Sequence, residues 1–158
     1  YKYMGSLTSY LCFNHSTRKP DYKGGELLQE SLDNVDVLIG HNIKFDITWL
    51  RDCGFVYNNH LYDTMVAEYI LSSSRRWSLG LQSVAERYGA LKKKSLVDGY
   101  LKDGKTFYDI PYDIIEEYGI ADVEATEQVA LKQLEAFGTT FEELFGDEET
   151  IADTAFVA

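Results

Sequence analysis

The feature that most constrains the fold is a short apolar run that ends in a glycine. Residues 35–39 read Val-Asp-Val-Leu-Ile and are followed by Gly40. A run of this length, ended by a residue that lets the backbone turn, is typical of a buried β-strand. After the turn the period changes, because apolar side chains recur at positions 45, 49 and 53, which is helical spacing. A strand, a turn and a helix therefore follow one another directly, as they do in α/β folds.

The same alternation continues along the rest of the chain. Residues 7–13 are rich in β-favouring side chains and predict a first strand, and residues 60–62 predict another short one. Helices are predicted over 26–32, 44–53, 64–71 and 79–88, the last capped by Ser78, and over about 111–137, where Pro111 opens the helix. Residues 90–110 read as a long irregular stretch. We predict an α/β domain over 1–137, followed at 138–158 by an acidic tail or the start of a linker.

The charge and the hydrophobic pattern narrow the classes of function. The net charge of −11 argues against tight autonomous binding of nucleic acid, because neutralisation of phosphates drives such binding. It leaves open a nucleic-acid enzyme, whose metal site is built from carboxylates and whose ions supply the positive charge. No apolar run approaches the roughly eighteen residues that span a bilayer, and residues 1–20 lack a secretory pattern. We expect no membrane partner and a cytoplasmic location.

The first candidate site follows the predicted strand. Residues 39–46 read Ile-Gly-His-Asn-Ile-Lys-Phe-Asp, which places Asn42 and Asp46 between the strand end and the first turn of the helix. Ligand sites in open α/β sheets lie at such strand ends. The alternative is structural, because Asn is a favoured N-cap and the helix dipole stabilises an Asp in the first turn. The spacing alone leaves both interpretations open.

Two further segments contain candidate active-site residues. Tyr118 and Asp122 are four residues apart and lie on one face of the last long helix. A phenol beside a carboxylate can hold a metal-bound water between them, whereas the structural alternative is a core tyrosine and a solvated aspartate. Asp63 is either a further active-site carboxylate or the N-cap of the helix that follows it, and we favour the cap.

Two basic clusters stand out against the acidic background, Arg75-Arg76-Trp77 and Lys92-Lys93-Lys94. With neighbouring aromatic side chains they can hold a single nucleic-acid strand, through phosphate pairing and base stacking. We take Arg76 as a candidate substrate-binding residue. The alternative is a solvated loop face.

Taken in order, these segments resemble one family. They read Asn42-x-x-Phe45-Asp46, then Tyr62-Asp63-Thr64-Met65-x-x-x-Tyr69-Ile70-Leu71, then Leu79-x-x-x-Ser83-Val84-Ala85-x-x-Tyr88, then Tyr118-x-x-x-Asp122-x-x-Ala125-Thr126. The series resembles the proofreading 3′→5′ exonuclease domain of family A DNA polymerases, in the tyrosine-containing branch of the DEDD exonucleases. The lysine-rich insertion before the last motif is similar to the phage versions. The resemblance covers about residues 7–137.

The resemblance implies a fold, a reaction and roles for particular residues. The fold is ribonuclease H-like, a mixed sheet flanked by helices, and the reaction is two-metal hydrolysis with Mg²⁺ or Mn²⁺. Asp122 resembles the carboxylate on the metal at the nucleophile side, Asp46 the one that serves the second metal, and Tyr118 the tyrosine that orients the attacking water. Asn42 and Phe45 resemble residues that line the pocket of the terminal nucleotide. The implied partners are the 3′ end of single-stranded DNA and a polymerase domain in the same parent chain, in the host cytoplasm if the parent is viral.

The chain departs from the family at its start. The family opens with Asp-x-Glu on its first strand, and no such pair precedes Asn42. We therefore expect a domain that begins after this motif, lacks its central first strand, and is weak or inactive by itself, since hard divalent cations need several oxygen ligands. Two alternatives stay open: a ribonuclease D-like 3′→5′ exoribonuclease, and a catalytically inactive nucleic-acid-binding module on the same fold.

Overall fold

A computed structural model describes residues 1–12, 15–73, 75–90, 96–146 and 155–157. The strands within these ranges are β1 (Lys2–Tyr3), β2 (Val37–Gly40), β3 (His60–Asp63) and β4 (Ala155–Val157). The helices are α1 (Tyr22–Asp33), α2 (Lys44–Asp52), α3 (Thr64–Leu71), α4 (Leu81–Arg87), α5 (Val97–Lys102), α6 (Tyr112–Phe137) and α7 (Phe141–Phe145). Among these helices, none combines the length and the apolar character that crossing a bilayer requires.

The strands form one mixed sheet in the order β1-β4-β2-β3. β2 is parallel to both of its neighbours, β3 and β4, and β1 is antiparallel to β4. The α/β class with a mixed sheet is therefore confirmed. In the described sheet, β4 lies between β1 and β2 and pairs with both.

The sheet is covered on both faces because β2 is apolar at every position. Leu38 packs on one side with apolar residues of α1 and α2. Val37 and Ile39 pack on the other side with Ala67 of α3 and with Ala130 of α6. Alternate residues of a strand point to opposite faces, so a continuous apolar strand is the expected pattern for a sheet with helices on both sides.

The prediction of a strand over residues 7–13 is wrong for the described residues 7–12, and Phe13 lies outside them. The chain turns after β1, where Gly5 adopts a φ of +73° and the Ser6 N–H donates to the Tyr3 carbonyl. Leu7 is 92% exposed. β-favouring composition alone does not make residues 7–12 a strand, because no described strand pairs with them.

Helix bounds follow the sequence where capping residues mark them. α6 begins after Pro111 and ends at Gly138, whose φ of +69° is the left-handed conformation of a helix stop. α1 begins four residues before the prediction, because the Asp21 side chain accepts from the Gly24 N–H at 2.8 Å and caps it. The predicted Ser78 cap is wrong, since α4 has Gly80 as its N-cap. α5 forms inside the stretch predicted to be irregular. The division at residue 137 stays a prediction.

Candidate functional site

The candidate residues gather at one edge of the sheet because β2 and β3 are parallel. Gly40, the last residue of β2, pairs with Asp63, the last residue of β3. The segment 41–43 and the helix α2 follow the first strand end, and α3 follows the second. Parallel strands place their carboxyl ends at the same edge, which is where ligand sites of open α/β sheets lie.

Asp63 fixes the loop that carries Asn42. The Asn42 N–H and the Met65 N–H both donate to the Asp63 Oδ1, each at 2.9 Å. The preference for Asp63 as the N-cap of α3 is thereby confirmed, and the same oxygen also holds the neighbouring loop. Asn42 has a φ of +61°, which Asn tolerates better than most residues. Asn42 does not cap α2, because the N-cap is Ile43 and no side-chain cap bond is made.

His41 was not selected from the sequence, yet it ties three segments together. Its Nδ1 lies 2.9 Å from the Thr64 Oγ1, and its Nε2 lies 2.8 Å from the Leu79 carbonyl oxygen. A carbonyl only accepts, so the Nε2 carries the proton and donates. The Thr64 Oγ1 also lies 3.2 Å from the Gly40 carbonyl oxygen. The strand end, α3 and the loop before α4 are thus joined through one imidazole.

Asp46 lies in the first turn of α2 and is half-buried. It lines a cavity of about 510 Å³ whose wall includes Phe45, Trp49, Phe107 and Tyr118, which we call the aromatic cavity. Burial, with a smaller contribution from the charge of Asp63, raises the pKa of the Asp46 carboxyl from 3.8 to about 6. A half-buried carboxylate with a raised pKa in a cavity is typical of a functional site.

Tyr118 and Asp122 lie one turn apart on α6 and face a second cavity of about 860 Å³, which we call the Asp122 cavity. Burial, the Asp122 charge and a hydrogen bond with Asp122 raise the pKa of the Tyr118 phenol to about 12. Tyr118 lines the cavity that contains Asp46 as well as the one that contains Asp122. The two cavities therefore share this tyrosine.

A glycine next to Tyr118 makes this packing possible. A Cβ placed on Gly119 would lie 2.7 Å from the Cε2 of Tyr10. The Tyr10 ring therefore rests directly on the backbone of α6. In the sequence this glycine looked only like an interruption of the helix.

The other candidate residues lie further out. Asn42 lines the Asp122 cavity, and Phe45 is 72% exposed at the wall of the aromatic cavity. Arg76 is exposed in the loop before α4 and is not among the described residues that line either cavity. Its neighbour Trp77 packs against the guanidinium groups of Arg75 and Arg87. The cluster Lys92–Lys94 lies outside the described residues.

The chemical type of the two aspartates fits a divalent metal, but their number does not. Carboxylate oxygens are the ligands that Mg²⁺ and Mn²⁺ prefer, and Asp46 and Asp122 supply them in the two cavities that share Tyr118. Over the described ranges, however, no group of three or more acidic, histidine or cysteine side chains is placed to hold an ion. These residues do not form a complete two-metal site by themselves.

Comparison with known proteins agrees with the geometry. The profile of a family described as 3′-5′ exonuclease matches residues 10–135. This span begins before α1 and ends in the last turn of α6. It therefore contains Asn42, Asp46, Tyr118 and Asp122. No solved structure was found to match the chain. The resemblance inferred from the ordered motifs is confirmed at the level of the exonuclease domain.

Proposed function

Because the chain belongs to the 3′-5′ exonuclease family, we propose that it releases nucleotides from the 3′ end of a DNA strand as the proofreading domain of a DNA polymerase. The family makes it a nuclease, that is, a hydrolase of phosphodiester bonds. The DNA substrate, the polymerase domain in the same parent chain and a ribonuclease H-like fold are what we propose beyond the family. The phage-like insertion and the ordered motifs support them.

One observation carries the proposal: Tyr118 lines both the cavity of Asp46 and the cavity of Asp122. Hydrolysis of a phosphodiester needs a water held in line with the bond that breaks, and carboxylates nearby to receive its proton and position it. A tyrosine shared by two cavities that each contain a carboxylate offers the groups for this chemistry.

The protonation state of Tyr118 limits its role. With a pKa of about 12 its phenol stays protonated at neutral pH, so it orients a water by hydrogen bonding and does not act as a base. Asp122, hydrogen-bonded to the same phenol, fixes the direction in which the hydroxyl points. Asn42 and Phe45 lie where a terminal nucleotide enters, and stacking of a base on an exposed aromatic ring contributes about 1–3 kcal/mol.

Exonuclease domains of this family generally use divalent metals, and we propose two Mg²⁺ or Mn²⁺ ions. Asp46 and Asp122 are the part of that site which the described residues supply. Such ions polarise a phosphodiester and stabilise the charge that develops on its oxygens. Two carboxylates alone bind a hard cation weakly, so we expect calorimetric titration of this chain with Mn²⁺ to give a dissociation constant of about 10⁻³ M or weaker.

The test is release of 3′ mononucleotides from a 5′-labelled single-stranded oligonucleotide by the natural protein in Mg²⁺ buffer. We expect Asp122→Ala to lower the rate about a hundredfold or more, since removing a centre of charge stabilisation costs this much in hydrolytic enzymes. Glu124→Ala is the matched control, because Glu124 is an exposed carboxylate two residues away on the same helix. Full activity in Asp122→Ala would overturn the assignment. Faster cleavage of an RNA oligonucleotide would replace DNA by RNA as the substrate.

The lack of an Asp-x-Glu pair before Asn42 favours a second candidate, an inactive nucleic-acid-binding module on the same fold. In that case the natural protein binds the oligonucleotide and releases no mononucleotide at any Mg²⁺ or Mn²⁺ concentration. The same assay therefore separates the two functions.

A further inference from the structure

α5 brings one wall of the Asp122 cavity from a part of the chain that the sequence left irregular. Val97 is buried and anchors the helix, which contacts α6. From this anchor Asp98, Gly99 and Lys102 line the cavity that Tyr118 also lines. The stretch before the last motif is therefore part of the wall around the candidate site.

The charges on this wall are mostly of one sign. Glu86, Asp98 and Asp122 contribute carboxylates, and Lys102 is the only lysine or arginine among the described lining residues. Both ring nitrogens of His41, which also lines the cavity, are engaged in hydrogen bonds. A phosphodiester strand that enters such a cavity meets repulsion, which a cation at the wall reduces.

The Lys102 side chain is exposed and placed to meet a ligand. Asp98 is four residues earlier in the same helix and is the natural partner for an ion pair. Over the described residues, however, the Lys102 ammonium lies within ion-pair distance of no carboxylate. Within the described part of the chain, therefore, no ion pair accounts for the position of the Lys102 ammonium.

We propose that Lys102 binds a backbone phosphate of the nucleic-acid strand that enters the Asp122 cavity. The inference rests on the proposed function and names a phosphate contact for the same site. Lys102 holds the strand and does not touch the reacting atoms. Because the contact is to the backbone, it acts equally on all base sequences.

The experiment measures binding of a fluorescein-labelled single-stranded oligonucleotide to the natural protein by anisotropy, over a range of KCl concentrations without divalent metal. We expect Lys102→Gln to weaken binding about tenfold at low salt, as loss of a charged hydrogen bond does. The slope of log K against log salt should become shallower by about 0.7, the contribution of one phosphate contact to a single strand. Lys102→Arg should restore most of both quantities.

Lys105→Gln is the matched control, since Lys105 lies three residues further on, is exposed, and does not line either cavity in the described structure. In the cleavage assay Lys102→Gln should raise KM and leave kcat nearly unchanged, a separation that a general loss of structure would not give. Equal slopes for Lys102→Gln and the unaltered protein, or an equal loss in Lys105→Gln, would overturn the inference alone. No binding by the unaltered protein would overturn this inference, whereas the proposed function is overturned only by the absence of cleavage in Mg²⁺ buffer.

Discussion

Replacing Asp46 by Asn should stabilise the metal-free protein while it removes the activity. Asp46 is half-buried, and burial together with the charge of Asp63 raises the pKa of its carboxyl from 3.8 to about 6. The folded state therefore holds the proton more tightly than the unfolded state does. The stability contributed by Asp46 is fully present below about pH 4 and is lost as the pH rises through 6. An Asn at this position carries no charge at any pH and escapes the loss.

The magnitude follows from the difference between the two pKa values. One pKa unit corresponds to about 1.4 kcal/mol, so the full difference between 3.8 and about 6 amounts to about 3 kcal/mol. Because part of the carboxyl reaches solvent, screening reduces this figure, and we expect about 1–1.5 kcal/mol. For a chain of 158 residues this is a rise in melting temperature of about 3–5 °C.

The assay is urea denaturation of both proteins in EDTA at pH 4 and at pH 7.5, with the free energies of unfolding compared at each pH. We expect near equality at pH 4 and the full gain for Asp46→Asn at pH 7.5. Asp52→Asn, an exposed position in the same helix, should show neither effect. Of the other groups that face the aromatic cavity, Tyr118 and Tyr10 have raised pKa values of about 12 and stay neutral over this range. Burial lowers the pKa of the Tyr1 N-terminal amine to about 6, so this group titrates in both proteins and is compared at equal pH. A gain that is the same at both pH values, or a loss at pH 7.5, would refute the reasoning.

Two further substitutions test the groups around α6. Tyr118→Phe keeps the ring and loses the hydroxyl. We therefore expect oligonucleotide binding within about twofold of the unaltered protein, and cleavage slowed at least about tenfold when it is measured by single-turnover kinetics. Unchanged cleavage would show that the hydroxyl does not orient the attacking water. Gly119→Ala should lower the free energy of unfolding by about 1 kcal/mol, because the clash with Tyr10 exceeds the gain in helix propensity. Gly99→Ala, with open space around its Cβ, should instead raise it by up to about 1 kcal/mol, and the same sign in both variants would contradict the packing argument.

The parts of the fold that sequence predicted are those fixed by local pattern. β2, α2, β3 and α3 lie within two residues of the prediction, because an apolar run, a turn glycine and the Asp63 cap mark their ends. The parts that were missed depend on distant partners. β4 is a strand because β1 and β2 lie on either side of it. Residues 7–12 are not a strand because no described strand pairs with them.

The candidate site also contains residues that local pattern predicts and residues that depend on distant parts of the chain. Asp46, Tyr118 and Asp122 were selectable because their spacing and the resemblance both single them out. His41, Asp98 and Lys102 were not, since their importance comes from contacts across 20 or more positions of the chain. A histidine after a strand and a charged pair in an irregular stretch carry no local signal of a shared cavity. Only the packing of α5 and α6 against the β2 edge brings them together.

Two residues at the carboxyl edge of the sheet are in energetically unfavourable states, one conformational and one electrostatic. Asn42 adopts a positive φ, and Asp46 is held half-buried with a pKa raised to about 6. Each of these would be relieved by an ordinary substitution, a glycine in the loop or an asparagine in the helix. Local costs that the surrounding structure holds in place tend to mark functional sites. The opposite end of β2 begins at the buried Val37, and the described residues 35–37 there have no positive φ. We therefore expect the function of this chain at the Gly40 end of the strand.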